Sequence, residues 1–180
     1  MLYQEIVEEE MAIMDEETPD EPSKTLSPHE IHVPLHSLMH PPVTIDTGGS
    51  TQEAIDRMLD NKVGAILIVS DGVLKGIFGE RDVLLKILNK PVGDLTQVPI
   101  EQFMKADPQT AQVADSLDTA ILYMAKGGYR HIPIVNEQNQ PVGIVSIRHI
   151  ISYLVEHFPQ EVLTLPPKPD NDAMQAREGA

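Results

Sequence analysis

The sequence contains no cysteine, which excludes disulfide bonds and metal sites built from thiolates. It also has no apolar run approaching the roughly 20 residues of a membrane-spanning helix. The first residues, MLYQEIVEEEM, lack the basic start and apolar stretch of a secretory signal. P-loop, HExxH and nucleophile-elbow motifs are absent as well. We therefore expect a cytoplasmic protein that crosses no membrane and is not an enzyme.

Basic residues are scarce, with 13 Lys and Arg against 28 Asp and Glu, for a net charge of -15. The imbalance lies mainly at the ends of the chain. Residues 1–32 hold ten acidic residues and one basic residue. This charge repels polyanions, so we expect no nucleic-acid partner. A small anion could still bind a local cluster of Arg and Lys.

The chain contains an internal repeat. The segment VPLHSLM (Val33–Met39) recurs as VPIEQFM (Val98–Met104), and the register then continues with two single-residue insertions. Aligned identities include Pro42 with Pro108, Ala54 with Ala120, Ile68 with Ile134, Gly76 with Gly143, and Arg81 with Arg148. Repetition on this scale indicates two copies of one structural unit.

Each copy has the pattern of a β-α-β-β-α unit, and the predicted fold class is therefore α/β (α+β). Short apolar runs at 65–69 and 132–135 predict buried strands. Ser50 to Glu53 fits a capping box, and the helix after it is predicted to place Ala54, Ile55, Met58 and Leu59 on one face. Pro34 and Pro99 are predicted at the first position of a short helix.

One unit of about 60 residues can bury only a thin core, so we expect the two units to pack face to face. The predicted boundaries are 33–88 for the first repeat, 89–97 for a linker and 98–155 for the second repeat. Residues 1–32 are predicted to be an acidic, largely disordered segment, and residues 156–180 a Pro-rich tail.

Four histidines lie close together in sequence, at His29, His32, His36 and His40. Their spacing raises the hypothesis of a metal site. The repeat argues against it, because the aligned positions of the last two are Glu101 and Lys105, and because Pro34 interrupts a helix that would carry all four. We predict no metal site.

Several short motifs occur in the same order in both halves. LMHPPVTI, VGAILIV and GIFGERDVL in the first half, and FMKADPQT, YRHIPIV and GIVSIRHII in the second, resemble cystathionine β-synthase (CBS) domains. A pair of such domains is called a Bateman module. The resemblance covers roughly residues 33–155.

The resemblance implies two CBS repeats packed about a pseudo-twofold axis, with two related clefts between them. In many members these clefts bind AMP, ADP, ATP, S-adenosylmethionine or a cyclic dinucleotide. Members commonly form homodimers and regulate a partner protein, which this sequence does not identify. No cofactor is required.

The resemblance also implies ligand-binding residues for the first cleft. Asp82 matches the aspartate that accepts hydrogen bonds from both ribose hydroxyls, while Gly79 stands where the family has Ser or Thr. Arg81 lies beside them, and Lys105 would approach from the opposite repeat. The alternative for Asp82 is that it caps the helix that begins there. Ile66, Met104 and Ile77 are candidates for the adenine slot.

In the second cleft, Ser146 matches the family pattern, but His149 stands at the position of the ribose aspartate. Arg130 and His131 resemble the phosphate-binding residues, and His40 would approach from the first repeat. The alternative for Arg130 is a surface ion pair.

Two functions from different classes fit these residues. The first is a non-catalytic regulatory module that binds an adenine nucleotide or adenosyl ligand between the repeats. The second is a structural dimerisation or scaffold module without a physiological ligand, which the departures at Gly79 and His149 favour.

Overall fold

A computed structural model describes residues 33–88 and 90–159. The predicted acidic segment 1–32, and residues 160–180 of the predicted tail, lie outside this part of the chain. Within the described ranges, every helix is too short or too polar to cross a bilayer.

The first repeat follows the predicted order of elements. It comprises β1 (Thr44–Asp46), α1 (Thr51–Asn61), β2 (Ala65–Ser70), β3 (Val73–Gly79) and α2, a helical turn (Glu80–Asp82) that continues as a π-helix (Val83–Ile87). A 3-10 turn (Leu35–Ser37) precedes β1. Ser50 begins α1 by accepting a hydrogen bond from the Glu53 backbone N–H at 3.1 Å, which is one half of the predicted capping box.

The second repeat has the same order with one added strand. After a 3-10 turn (Ile100–Gln102) come β4 (Lys105–Ala106), β5 (Ala111–Gln112), α3 (Leu117–Gly127), β6 (His131–Val135), β7 (Pro141–Ser146) and α4 (Ile147–His157). The mixed α+β class and the duplicated unit are therefore confirmed.

One local expectation is wrong, and one predicted apolar face is only partly buried. Pro34 and Pro99 precede their turns as extended N-cap residues, with ψ near 139° and 141°; the ring fixes φ but leaves ψ free to be extended. Leu59 is 69% exposed, because the buried stripe of α1 runs through Thr51, Ala54 and Met58, and Leu59 lies about 100° further round the helix.

The two sheets exchange chain segments. In the first sheet the strand order is β1-β2-β3-β4, so its last strand comes from the second repeat. In the second sheet, β5-β6-β7, the edge of β7 pairs with His40 of the first repeat, through reciprocal backbone hydrogen bonds of 3.0 Å between His40 and Ile144. Each repeat therefore completes the other's sheet.

The 3-10 turns are exchanged in the same sense. Leu35 is fully buried in the core of the second repeat, and Ile100 is fully buried in the core of the first. Backbone hydrogen bonds anchor both turns, from Leu35 N–H to Asp115 O at 2.9 Å and from Ile100 N–H to Gly49 O at 3.0 Å. Side chains from one repeat thus form part of the core of the other.

Two glycines allow the exchanged segments to approach. A Cβ at Gly143 would lie 2.6 Å from Sδ of Met39, and a Cβ at Gly76 would meet the side chain of Met104 and lie 3.2 Å from the Lys105 carbonyl oxygen. Gly76 and Gly143 are aligned in the repeat, so the same close contact is made twice.

A third apolar cluster joins the two sheets. It contains Ala65, Leu67 and Leu74 of the first repeat with Val135 and Ile144 of the second. The turns between the paired strands also meet, since the Leu74 N–H donates to the Asn139 carbonyl at 2.9 Å. The face-to-face packing therefore has its own buried layer.

We expect Ile100→Ala to lower the free energy of unfolding by about 2–5 kcal/mol, the usual cost of emptying a buried aliphatic site. Urea denaturation measures this change. The matched control is Gln102→Ala in the same turn, whose side chain is exposed, and which should change stability by no more than about 0.5 kcal/mol.

Hydrogen exchange shows which elements the Ile100→Ala substitution destabilises. Because Ile100 packs in the core of the first repeat, protection should fall in β2 and α1 more than in β6 and α3. A greater loss of protection in the second repeat, to which Ile100 belongs in sequence, would contradict the exchange of segments between the repeats.

Candidate functional site

Two clefts open where the repeats meet. The Asp82 cleft has a volume of about 250 Å³, and Gly79, Arg81, Asp82 and Lys105 lie on its wall. The His149 cleft has a volume of about 450 Å³, and its wall includes His40, Ser146 and His149. With the exception of Ile66 and Met104, the structure thus brings each predicted set together, and Lys105 and His40 are supplied by the opposite repeat.

Asp82 already has hydrogen-bond partners within the protein. Its Oδ2 accepts from the Gly79 N–H at 3.0 Å, and its Oδ1 lies 2.8 Å from Nζ of Lys86. The carboxylate therefore caps α2, as the structural alternative predicted. It also remains available, because 24% of its side-chain surface is exposed and a carboxylate has about four lone-pair positions.

Lys86 was missed at the sequence level. Its spacing of four residues from Asp82 is the signal that could have identified the pair. Lys86 Nζ also donates to the Phe103 carbonyl at 2.7 Å, and so ties the Asp82 helix to the exchanged segment of the second repeat.

The Asp82 cleft carries a group of cations. Arg81, Lys105 and Arg130 line it together with the carboxylates of Glu80 and Asp82. Lys105 Nζ lies 4.0 Å from the ring centroid of Tyr129, a favourable cation–π distance. Tyr129 is a further cleft residue that the sequence did not single out.

Ser146 and His149 form a reciprocal capping box at the start of α4. The Ser146 N–H donates to Nδ1 of His149, and the His149 N–H donates to Oγ of Ser146, both at 3.3 Å. A backbone N–H can only donate, so Nδ1 of His149 is the acceptor. In the neutral ring the proton is therefore on Nε2.

His40 stacks on His149 with the ring centroids 3.7 Å apart and the planes inclined by 24°. Nδ1 of His40 lies 3.2 Å from the Leu38 carbonyl oxygen, which can only accept, so Nδ1 carries a proton. The neutral His40 ring then leaves Nε2 as an acceptor.

Burial and neighbouring positive charge lower the pKa of two imidazoles in this region, those of His149 and His131. Burial lowers the pKa of His149 to about 4, with further lowering by His40, His131 and Arg148. Burial also lowers the pKa of His131, where Glu80 opposes the shift and Arg148 and Arg130 add to it. Both rings therefore favour the neutral form more than a free imidazole does.

The two clefts share a wall. Gly64, Ala65, Glu80, Arg130 and His131 line both. The sequence assigned Arg130 and His131 to the second cleft alone, but the structure places them on the wall of the first as well. A Cβ at Gly64 would lie 3.3 Å from the His131 ring.

Ile66 does not line either cleft. It is fully buried in the core of the first repeat, so its side chain has no surface for a ligand. The alternation of a strand explains the difference, since the neighbouring Ala65 points to the opposite face and lines both clefts.

The histidine-rich segment lies only partly within the described residues. His29 and His32 fall outside them, and His36 is exposed. In the described ranges, no group of three or more His, Asp or Glu side chains is arranged to bind a metal ion.

We expect the NMR titration of His149 to give a pKa near 4. Because the folded pKa is below the ordinary value of about 6.5, His149 contributes stability above that value, and this contribution is lost as the pH falls from about 6.5 towards 4. His40→Gln removes an electrostatic contribution that lowers the pKa of His149, and this pKa should therefore rise. A titration of His149 near 6.5 in the unsubstituted protein would contradict its burial.

The chain is similar to known proteins along most of its described length. A family model for the CBS domain matches residues 35–89 and 100–156. The CBS domain-containing protein YhcV of Bacillus subtilis is 36% identical over 104 residues, which cover 58% of this chain and 72% of that protein. The Meiotically up-regulated gene 70 protein of Schizosaccharomyces pombe is 26% identical over 132 residues, or 73% of this chain, and the match spans 18% of that protein.

Solved structures share the fold. The CBS domain protein PAE2072 from Pyrobaculum aerophilum, complexed with AMP, has a TM-score of 0.62 at 24% identity, covering 69% of this chain and 97% of that chain. The CBS domain pair of protein MJ0100, in complex with 5'-methylthioadenosine and S-adenosyl-L-methionine, has a TM-score of 0.62 at 22% identity, also with 69% and 97% coverage. With two family matches in order and this shared architecture, the chain belongs to the CBS domain family and carries two CBS domains in tandem.

Proposed function

We propose that the protein is a non-catalytic regulatory module that binds an adenine nucleotide or adenosyl ligand in the Asp82 cleft. The observation that carries this proposal is the partly exposed Asp82 carboxylate in a cleft that also presents Arg81, Lys105 and Arg130. AMP bound by PAE2072 and the adenosyl ligands bound by MJ0100 support the same ligand class here.

Each part of such a ligand has a chemical counterpart in the cleft. Vicinal ribose hydroxyls can donate to the two oxygens of Asp82. Phosphate oxygens can accept from the guanidinium groups of Arg81 and Arg130, which suit them geometrically. Ile77 adds apolar surface on the same wall. The cations favour a phosphorylated ligand such as AMP, ADP or ATP over S-adenosylmethionine, which carries a positive sulfonium.

Ligand binding would couple the two repeats, because Asp82 belongs to the first and Arg130 and Lys105 to the second. A ligand shifts a conformational equilibrium when it binds one arrangement better than another. We infer that a partner protein, still to be identified, responds to this shift, and that both act in the cytoplasm, where adenine nucleotides are made and consumed.

A scaffold without a physiological ligand is the second candidate. It is favoured by the internal partners of Asp82, since Gly79 and Lys86 already use both of its oxygens. A ligand would have to share or displace the Lys86 ammonium.

We further propose that the module forms a homodimer through its helices. Leu84 of α2 and Leu88, the residue that follows α2, are 56% and 66% exposed, and the aligned Ile151 and Val155 of α4 are 54% and 47% exposed. An apolar patch present in both repeats is suited to an isologous contact with a second copy.

Thermal unfolding tests the ligand proposal. At a hundredfold excess over its dissociation constant, AMP, ADP or ATP should stabilise the protein by about 2.7 kcal/mol, which for a chain of this size is roughly 5–11 °C in Tm. Asp82→Asn keeps an oxygen for capping but loses one acceptor for the diol, and should weaken binding by about tenfold or more.

Lys86→Gln is the matched control, because it removes the ion pair with Asp82 and leaves the carboxylate intact. Affinity should be unchanged or higher in this variant, since Asp82 is freed from Lys86. If neither nucleotides nor S-adenosylmethionine shift the Tm of the unsubstituted protein, the scaffold function is the better one.

Sedimentation equilibrium tests the dimer. Leu84→Glu places a charge in the apolar patch and should shift the dimer towards monomer by at least about tenfold in dissociation constant. Gln102→Glu adds the same charge at an exposed position outside the patch and should leave the equilibrium unchanged. An equal effect of both variants would place the interface elsewhere.

A further inference from the structure

The two clefts have equivalent positions with opposite hydrogen-bonding character. Asp82 and His149 are aligned in the repeat, and each is the third residue of its helix. Each accepts a hydrogen bond from the N-cap backbone N–H, at 3.0 Å from Gly79 to Asp82 and at 3.3 Å from Ser146 to His149. The side chains therefore occupy matching places at the mouths of the two clefts.

The Asp82 and His149 side chains differ in the hydrogen bonds that they can still make. Asp82 is a carboxylate and offers only acceptors. His149 has used its acceptor nitrogen on the Ser146 N–H, so its other nitrogen carries the proton and donates. A vicinal diol that would donate twice to Asp82 has no such acceptor at His149. A phosphoryl oxygen, which accepts and carries negative charge, is the complementary partner of this donor.

The charges around His149 point the same way. Lys62, Arg130 and Arg148 line this cleft, and among its described wall residues Glu80 is the one carboxylate. The first turn of α4, an 11-residue helix, also faces the cleft through Ile147 and Arg148, and the positive end of a helix dipole favours an anion there. The His40 ring, stacked on His149, also lines this cleft.

We propose that the His149 cleft binds a nucleotide whose ribose carries a phosphate ester on its 2′ or 3′ oxygen, with the phosphate in the position that the free diol takes beside Asp82. The larger volume of this cleft, about 450 Å³ against about 250 Å³, accommodates the additional group. The proposal extends the proposed nucleotide-binding function to a second, chemically distinct site.

Isothermal titration with adenosine 3′,5′-bisphosphate and 5′-AMP tests it. In the Asp82→Asn protein, where the first cleft is weakened, the bisphosphate should bind at least about tenfold more tightly than 5′-AMP. His149→Asp should reverse this order. The carboxylate repels the added phosphate and offers the acceptors that a diol requires, and it can still cap the helix as Asp82 does.

Arg148→Gln gives an independent check that leaves the capping box intact, and it should weaken bisphosphate binding by about tenfold while affecting 5′-AMP binding in the Asp82 cleft much less. The proposal is wrong if 5′-AMP binds the Asp82→Asn protein as tightly as the bisphosphate does. It is also wrong if neither His149→Asp nor Arg148→Gln changes the affinity for the bisphosphate.

Inorganic pyrophosphate is the control for simple charge attraction. If it displaces the bisphosphate at equal concentration, the nucleoside is not recognised and the proposal fails. Failure of the proposed function has a different signature, namely no Asp82-dependent binding of 5′-AMP, and it does not alter the bisphosphate result at His149.

Discussion

The architecture depends on burying the inner faces of two small sheets against each other. Leu67 and Leu74 from one sheet and Val135 and Ile144 from the other form this layer, which neither sheet could shield from water alone. At the start of β2 and β6 the layer ends and the sheets leave a gap, where the clefts open. The clefts are therefore a consequence of the packing that stabilises the fold, and residues at the ends of the same strands line them.

Much of this fold could be predicted from the sequence, because the repeat and the apolar runs report directly on burial. The run 65–69 is buried along its whole length, as predicted. Local patterns are less informative about which side of an element faces a partner. Leu59 continues the apolar face of α1 in sequence, yet its side chain is exposed. Ile66 is a core residue one position away from the cleft. The two-residue strand Lys105–Ala106 exists because a distant strand pairs with it, which no local pattern encodes.

The clefts show the same division between local and long-range information. Sequence alignment of the repeats identified Asp82 and His149 as equivalent, and the structure gives them equivalent capping roles. The alignment could not show that Arg130 and His131 line both clefts, since that depends on how the two repeats pack against each other. It also could not show the contact between Lys105 and Tyr129, which forms only once β4 is in place. The sequence of one repeat gives the side chains that it can contribute, whereas both repeats together determine which side chains line each cleft.

The exchanged turns also bear on how such a chain can arise and be divided. Leu35 of the first repeat packs in the core of the second, and Ile100 of the second packs in the core of the first. One repeat in isolation therefore has an unfilled core and an unpaired sheet edge. Two separate copies could satisfy each other by swapping these segments, and joining them end to end turns that association into an intramolecular one with a high effective concentration. Cutting the chain at the linker would not release two independent domains, whereas the two fragments supplied together could reassemble. The linker thus connects two repeats whose surfaces are already complementary. Fusion of the two copies of a segment-swapped dimer into one gene is a direct route to the present fold.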